Sequence, residues 1–339
     1  MTTPRYAIVV PTYRRADQLA ECLASVCALD YPKDAIEVIV IDNGGEENTR
    51  AAAQPFTDRL TIRYLVNARN RGYGFSVNRG IVESTGERIL LLNDDARPCP
   101  DLLRECDRLL ASDPQIGCVG CRVIEEGYQR FGTAIGKVRE DGELLGDFDV
   151  DCGEPVEADH VYGFCYVFTR EAVRRAGLND RTLLAQPYSS GNCIETDHCL
   201  SIREAGLRVV FDPRMVARHL AKPRPDMSEV SLKWHLNMIR NRLYLYLKHF
   251  GLFGKRAAAL RLTLVKHVGL GSLVRHPSRA NLDYFLMGLR ARTSAYFHYV
   301  KYRVGPRFDS PEAFRREFLE ASAPSAPLEV ASAARPRSG

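Results

Sequence analysis

The sequence predicts an α/β chain built on an open, mostly parallel sheet flanked by helices, and three observations carry that expectation. Short apolar strands alternate with segments of helical periodicity, and each strand closes on polar or flexible residues. One such closure, Ile89-Leu90-Leu91-Leu92-Asn93-Asp94-Asp95, breaks from four aliphatic side chains into three short polar ones, two of them carboxylic acids. Open sheets of this kind bind their ligands beyond the carboxyl ends of the strands.

The elements follow in order. Tyr6 to Val10 reads as a strand closed by Pro11-Thr12-Tyr13-Arg14-Arg15, and a helix follows with Leu19, Leu23 and Val26 on one face. Ile36 to Ile41 is a second strand, ending in Asp42-Asn43-Gly44-Gly45, and Thr61 to Val66 a third, ending at Asn67. Asp42 suits hydrogen bonds from a ribose hydroxyl or a base N–H, or equally the turn chemistry of an Asp before Asn-Gly-Gly. Unpaired buried charge is costly, so Asp94 and Asp95 suit a hard divalent cation holding a diphosphate; a solvated turn is the other use of that triplet. Further on, Glu195-Thr196-Asp197 precedes a helix ending at Gly206, and His219 follows a strand, Arg208 to Phe211, and a short loop.

Four pieces in this order, Val10-Pro11-Thr12-Tyr13-Arg14, Ile41-Asp42-Asn43-Gly44, Asn70-Arg71-Gly72 with Asn78-Arg79-Gly80, and Leu92-Asn93-Asp94-Asp95, resemble the donor half of glycosyltransferase family 2. The resemblance continues through Gly163-Phe164-Cys165-Tyr166 and Glu195-Thr196-Asp197-His198-Cys199 to Val216-Ala217-Arg218-His219, covering about residues 5 to 220. It implies the GT-A fold and inverting transfer of a sugar from a nucleoside diphosphate. By the same resemblance, Asp42 contacts the base or ribose with Pro11, Thr12, Tyr13 and Arg15 lining the same pocket. Asn70, Gly72, Asn78 and Gly80 face the nucleotide, the glycines allowing close backbone approach.

Asn93 and Asp95 take the outer places of the family's Asp-x-Asp motif, with Asn93 and Asp94 grouped with the donor contacts and Asp95 as the ligand of Mg2+ or Mn2+. Asn in the first place resembles members that use deoxysugar donors such as rhamnose, or furanose donors. Glu195 and Asp197 resemble the catalytic acids, Glu195 being the base. A base must be ionised within reach of an acceptor hydroxyl, and a helix N-terminus favours the carboxylate. The alternative has Asp197 capping the helix and Glu195 as a solvated neighbour. His219 resembles the histidine that completes the metal shell.

Other functions are weighed against particular residues. Gly72-Tyr73-Gly74 lacks the third glycine of a dinucleotide fingerprint, which would fall at Val77, and follows the third strand instead of the first, so an oxidoreductase is excluded. A non-catalytic sugar-nucleotide-binding module would keep Asp42 and Asp95 but lose the acceptor-side acids, which are present. A sugar nucleotidyltransferase would release pyrophosphate where a transferase releases nucleoside diphosphate.

Composition allows a domain of about 200 residues plus a smaller appendage. Ten cysteines form no framework: Cys118 and Cys121 make a lone C-x-x-C, while Cys22, Cys27 and Cys199 fall on apolar helical positions. A strand beginning at residue 6 leaves no room for a leader, so a reducing cytoplasm is the expected compartment.

Charge is uneven. Residues 201 to 310 carry about 21 Lys and Arg against about 6 Asp and Glu, so the remainder is net acidic within a total of +5. We therefore divide the chain into a donor domain at 1–220, a basic amphipathic helical region at 221–320 and a disordered Ala/Ser/Pro tail at 321–339. The basic helices, Trp234 to Phe250, Lys255 to His276 and Arg290 to Arg307, suit either a solvated face or peripheral contact with an anionic membrane; none is apolar enough to span one. The acidic donor half argues against nucleic acid as a partner. The acceptor is expected to be a glycan, lipid-linked or small-molecule hydroxyl, with oligomeric state open.

Overall fold

The computed structural model describes residues 4–125, 131–132, 135–138, 144–147, 152–184, 193–220, 229–253, 269–304 and 310–319. Its first half is a parallel sheet of β1 (Tyr6–Thr12), β2 (Ile36–Asp42), β3 (Thr61–Val66) and β4 (Arg88–Leu92), interleaved with α1 (Ala16–Cys27), α2 (Glu47–Ala53) and α3 (Tyr73–Glu83). Every residue of β1 and β2 is buried, as unbroken apolar strands covered on both faces should be. Tyr6, Ile8 and Val10 enter one core with Leu19, Leu23 and Val26 of α1. Ala7 and Val9 enter the opposite core with Val77 and Ile81 of α3.

Strands run in the order β3-β2-β1-β4. The chain steps outward from β1 to β3 and then returns to the other side of β1 as β4. This reversal opens a crevice at the carboxyl ends of β1 and β4, where Thr12 and Asn93 to Asp95 lie.

The second half continues the sheet through β5 (Ala96–Pro98), α4 (Leu102–Ser112), β6 (Ile116–Glu125), β7 (Phe131–Gly132), β8 (Ile135–Val138), β9 (Leu144–Asp147), β10 (Val156–Glu157) and β11 (Cys165–Thr169). After α5 (Arg170–Ala176), α6 (Arg181–Leu184) and α7 (Ile194–Glu204) comes β12 (Arg208–His219). The ten-stranded sheet runs β10-β12-β6-β11-β4-β1-β2-β3, with β5 on β12 and β7 on β6, while β8 and β9 pair separately. Antiparallel β11 joins the two halves between β4 and β6. The short loop expected before His219 is instead a bulge within one continuous strand. The register with β6 slips between Asp212 and Val216, because Pro213 has no N–H to give to the ladder, and the Asp212 carboxylate accepts from Arg214 N at 3.0 Å.

Among the described residues four helices follow: α8 (Glu229–Phe250), α9 (Leu270–Arg275), α10 (Arg279–Val304) and α11 (Pro311–Phe318). Leu243, Tyr244, Leu247 and Ala295 share a third core with Leu183, Ile194 and Leu200, so the basic region packs directly on α7. Within the amphipathic helix expected through Phe250, Arg240, Asn241 and Leu243 to Leu247 are buried. Charge survives there because it is paired: Arg240 donates to Asn241 Oδ1, Thr182 O and Ser294 Oγ at 2.7 to 3.2 Å. All ten cysteines are free thiols. The segment 254–268 of the expected basic helices, residues 185–192 and the tail 321–339 lie outside the described residues. Among the described residues no helix is long and apolar enough to cross a membrane.

Candidate active site

The end of β4 is a corner of charge. Asp94 accepts from Thr12 Oγ1 at 2.9 Å and from Arg15 Nη1 at 3.0 Å, and the same guanidinium nitrogen reaches Asp95 Oδ2 at 2.9 Å. Burial raises the Asp94 carboxyl above its ordinary range, only partly offset by Arg15. Burial pushes Asp95 the same way, but His219 and Arg15 together outweigh it and hold the carboxyl below its usual value. Backbone pairing fixes this corner: His219 sits opposite Ala96 in the β12–β5 ladder, and Leu220 N donates to Asp95 O at 2.9 Å. The His219 ring packs on Phe164, centroids 4.9 Å apart.

Asp95 Oδ1 is buried without a hydrogen bond, and it stands 3.6 Å from His219 Nε2. Neighbouring ligands of an ion bound at about 2.1 Å lie about 3 Å apart, so a small divalent cation fits between these two atoms. Among the described residues no cluster of three or more potential ligands exists. Diphosphate oxygens and water would fill the other positions, the usual arrangement for Mg2+.

On the nucleotide side, Asp42 is fully buried; its Oδ2 accepts from Tyr64 OH and its Oδ1 from Gly44 N, both at 2.7 Å. The turn role foreseen for Asp42 is thus present, and each carboxylate oxygen keeps a further lone pair. Pro11 lies opposite Ile41 in the ladder. Tyr13 is exposed beside the crevice with the Arg14 guanidinium 5.2 Å from its ring. Arg14 itself adopts φ 56°, a strained conformation for a residue with a Cβ. Asn70 Oδ1 accepts from Gly72 N at 2.9 Å, turning the chain into α3, and Gly72 at φ 83° is the glycine that turn requires.

Two expected donor contacts are corrected. Asn78 is buried with its amide spent on Asn179, donating to its backbone O at 2.9 Å and accepting from its N and Nδ2. Gly80 serves packing, since a Cβ there would overlap Val9 of β1.

On the opposite wall, Glu195 is the second residue of α7. Its carboxyl lies against Gly163, where an added Cβ would stand 2.9 Å from Glu195 Cδ. Burial pushes this carboxyl up to about 7. Tyr73 connects the two walls: its hydroxyl donates to Asn93 Oδ1 at 2.8 Å and approaches Gly163 O at 3.1 Å. Sequence reasoning passed over Tyr73, whose only signal was a hydroxyl-bearing aromatic at the helix start beside Gly72.

Asp197 does not cap α7, contrary to the alternative weighed for it. The residue preceding the helix is Cys193, at φ 67° and without a side-chain cap. The Asp197 carboxylate instead binds Lys248 Nζ at 2.9 Å and His249 Nε2 at 2.8 Å. Lys248 also reaches Asp180 at 3.1 Å, and His249 Nδ1 reaches Glu204 at 2.7 Å. Burial alone would raise Asp197, but these two cations hold it well below the ordinary carboxylate range.

Comparison with known proteins bears on the family and the fold. The chain is 33% identical over 136 residues to glycosyltransferase AglE of Haloferax volcanii, covering 39% of this chain and 43% of that protein. It is 25% identical over 219 residues to the glucosyl-dolichyl phosphate glucuronosyltransferase of the same organism, covering 63% and 69%. This chain thus spans less than half of the first relative's length. Among solved structures it resembles residues 1–349 of TarS from S. aureus in complex with UDP-GlcNAc, at TM-score 0.61, 12% identity and 86% and 81% coverage. It also resembles the mannosyltransferase PcManGT from Pyrobaculum calidifontis in complex with GDP-Man and Mn2+, at TM-score 0.53, 17% identity and 88% coverage of both chains. These likenesses bear out the expected GT-A fold. The family model described as glycosyl transferase family 2 matches residues 7–177, half of the sequence, and the chain therefore belongs to glycosyltransferase family 2.

Proposed function

We propose that the protein transfers a sugar, with inversion, from a nucleoside diphosphate to an acceptor hydroxyl. The observation that carries this reading is the pairing of a half-buried acid near neutrality with a diphosphate corner: Glu195 against Gly163, joined through Tyr73 to Asn93 and so to Asp95. Glu195 takes the proton of the acceptor hydroxyl. The freed oxygen forms a bond to the anomeric carbon as the bond to the diphosphate breaks in line, the electron pair leaving with the nucleotide. Arg15 places a cation beside the leaving phosphates. When bound at Asp95 and His219, a divalent ion supplies Lewis-acid stabilisation of that charge. Asp197 acts on Glu195 indirectly, by tethering α7 to α8.

The neighbours' donors, UDP-GlcNAc and GDP-Man, differ in base and sugar, and the deoxysugar or furanose reading of Asn93 adds a third class. The dolichyl-phosphate relative supports a lipid-linked acceptor, and TarS, a poly(ribitol-phosphate) transferase, a polymeric one. The decisive experiment offers a panel of nucleotide sugars, with and without Mg2+ or Mn2+, and follows nucleoside diphosphate release together with the anomeric configuration of the product. Pyrophosphate release would establish a nucleotidyltransferase, and donor binding without transfer to any acceptor class a binding module.

A further inference from the structure

Helix α10 presents apolar side chains on two opposite faces. Gly288 and Ala295 are buried on the face toward α8. On the other, Leu282, Leu286, Leu289, Phe297, Val300 and Val304 are exposed, from 41% at Leu289 to 80% at Val304. At 100° per residue these six fall within a sector of about 80°, and they run along about 33 Å of helix. Arg290 and Lys301 border this stripe on one side, and Arg292 and Arg303 on the other. Asp283 is the one acid between residues 279 and 304.

We infer that this face of α10 docks on an anionic lipid surface, the stripe entering the interface while the two cationic rails meet the headgroups. Charge decides between this occupant and a second copy of the chain. Two such faces brought together would oppose four cations to four cations with little acid to offset them, whereas an anionic bilayer offers apolar depth and negative charge in the same order as the helix needs them. The inference goes beyond the transfer reaction and does not depend on it, since docking requires neither donor nor metal.

The test is sedimentation of the full chain with vesicles of phosphatidylcholine alone and of phosphatidylcholine mixed with phosphatidylglycerol, at low and high salt. The wild type is expected to sediment with the anionic vesicles only and to be released as salt rises. Each cation near the surface is worth about fivefold in partitioning, so Arg290→Glu with Lys301→Glu should weaken binding about 25-fold or more. Leu289→Ser with Phe297→Ser should weaken it about tenfold even at low salt, because apolar burial is not screened. All four positions are exposed, and unchanged thermal melting of both double variants verifies their folding. Equal recovery with neutral and anionic vesicles, or no sedimentation with either, overturns the inference. So does a dimer by light scattering that Leu289→Ser with Phe297→Ser dissociates, which would assign the stripe to a second copy.

Discussion

Replacing Glu195 by Gln separates two consequences of one burial. The folded protein raises this carboxyl from 4.5 to about 7, and each pKa unit is worth about 1.4 kcal/mol. A raised carboxyl binds its proton more tightly when folded, so its stabilising contribution is complete below the unfolded value and is lost as pH climbs through about 7. Above that point the wild type bears a cost of roughly 3 to 4 kcal/mol that Gln, always neutral, does not. Glu195→Gln should therefore melt higher than the wild type at about pH 8.5 and at nearly the same temperature at about pH 4. Turnover moves the other way. Gln accepts no proton, so the rate should fall by about 10² to 10⁴, or roughly 3 to 5 kcal/mol of barrier, with donor affinity nearly unchanged. In the wild type the rate should rise with pH through about 7, as Glu195 ionises. Paired melting curves at the two pH values, with nucleoside diphosphate release as the rate assay, check both limbs. A stability difference that is the same at both pH values refutes the burial argument, and a variant that keeps the wild-type rate refutes the assignment of the base.

Three other substitutions probe the surroundings. Asp197→Asn leaves Lys248 and His249 without their shared carboxylate and should cost about 3 to 5 kcal/mol in urea unfolding; a loss under about 1 kcal/mol would show that the tether between α7 and α8 is not structural. Asp95→Ala should abolish most of the strengthening that Mn2+ or Mg2+ gives to nucleoside diphosphate binding, measured by calorimetry, and an undiminished metal effect would move the ion elsewhere. Tyr73→Phe strips a donor from Asn93 and Gly163 and should lower kcat/KM by roughly ten- to a hundredfold, the equivalent of about 1 to 3 kcal/mol; a wild-type value would show that the two walls are set independently.

The parallel half of the fold was legible because its signals are local. Tyr6 to Val10 and Ile36 to Ile41 are continuous apolar runs, and the Leu19, Leu23, Val26 spacing marks a single helix face. The strand ends that carry Thr12 and Asp94 followed directly, whereas the pairing of Asp95 with His219 was implied only by the family resemblance, since nothing local in sequence joins the two. Contacts between distant segments were not legible. Asn78 carries the same amide whether it faces a ligand or Asn179, and only the packing of α3 against the loop after α5 decides between them. Asp197 looked like a cap because nothing nearby in sequence announces that Lys248 and His249 return to it from α8. Burial of Arg240, Asn241 and Leu243 to Leu247 was hidden likewise, since a cationic helix reads as solvent-facing until its partners Thr182, Ser294 and Asp180 are placed.

The position of β12 has a consequence for the order in which the molecule can assemble. Among the described residues it is the last strand to leave the ribosome, yet it lies inside the sheet, between β6 and β10, and carries β5 on its far end. Strands β1 to β4 can pair as soon as residue 92 is available, bringing the ends of β1, β2 and β4 together. The corner of Asp95 and His219 must wait for β12 to insert. Such distant pairings carry a loop-closure cost and form slowly. A nascent chain therefore passes through a stage in which the ends of β1 to β4 are in place but the Asp95 and His219 corner is not, and until β12 arrives the flank of β6 is an open edge for mispairing.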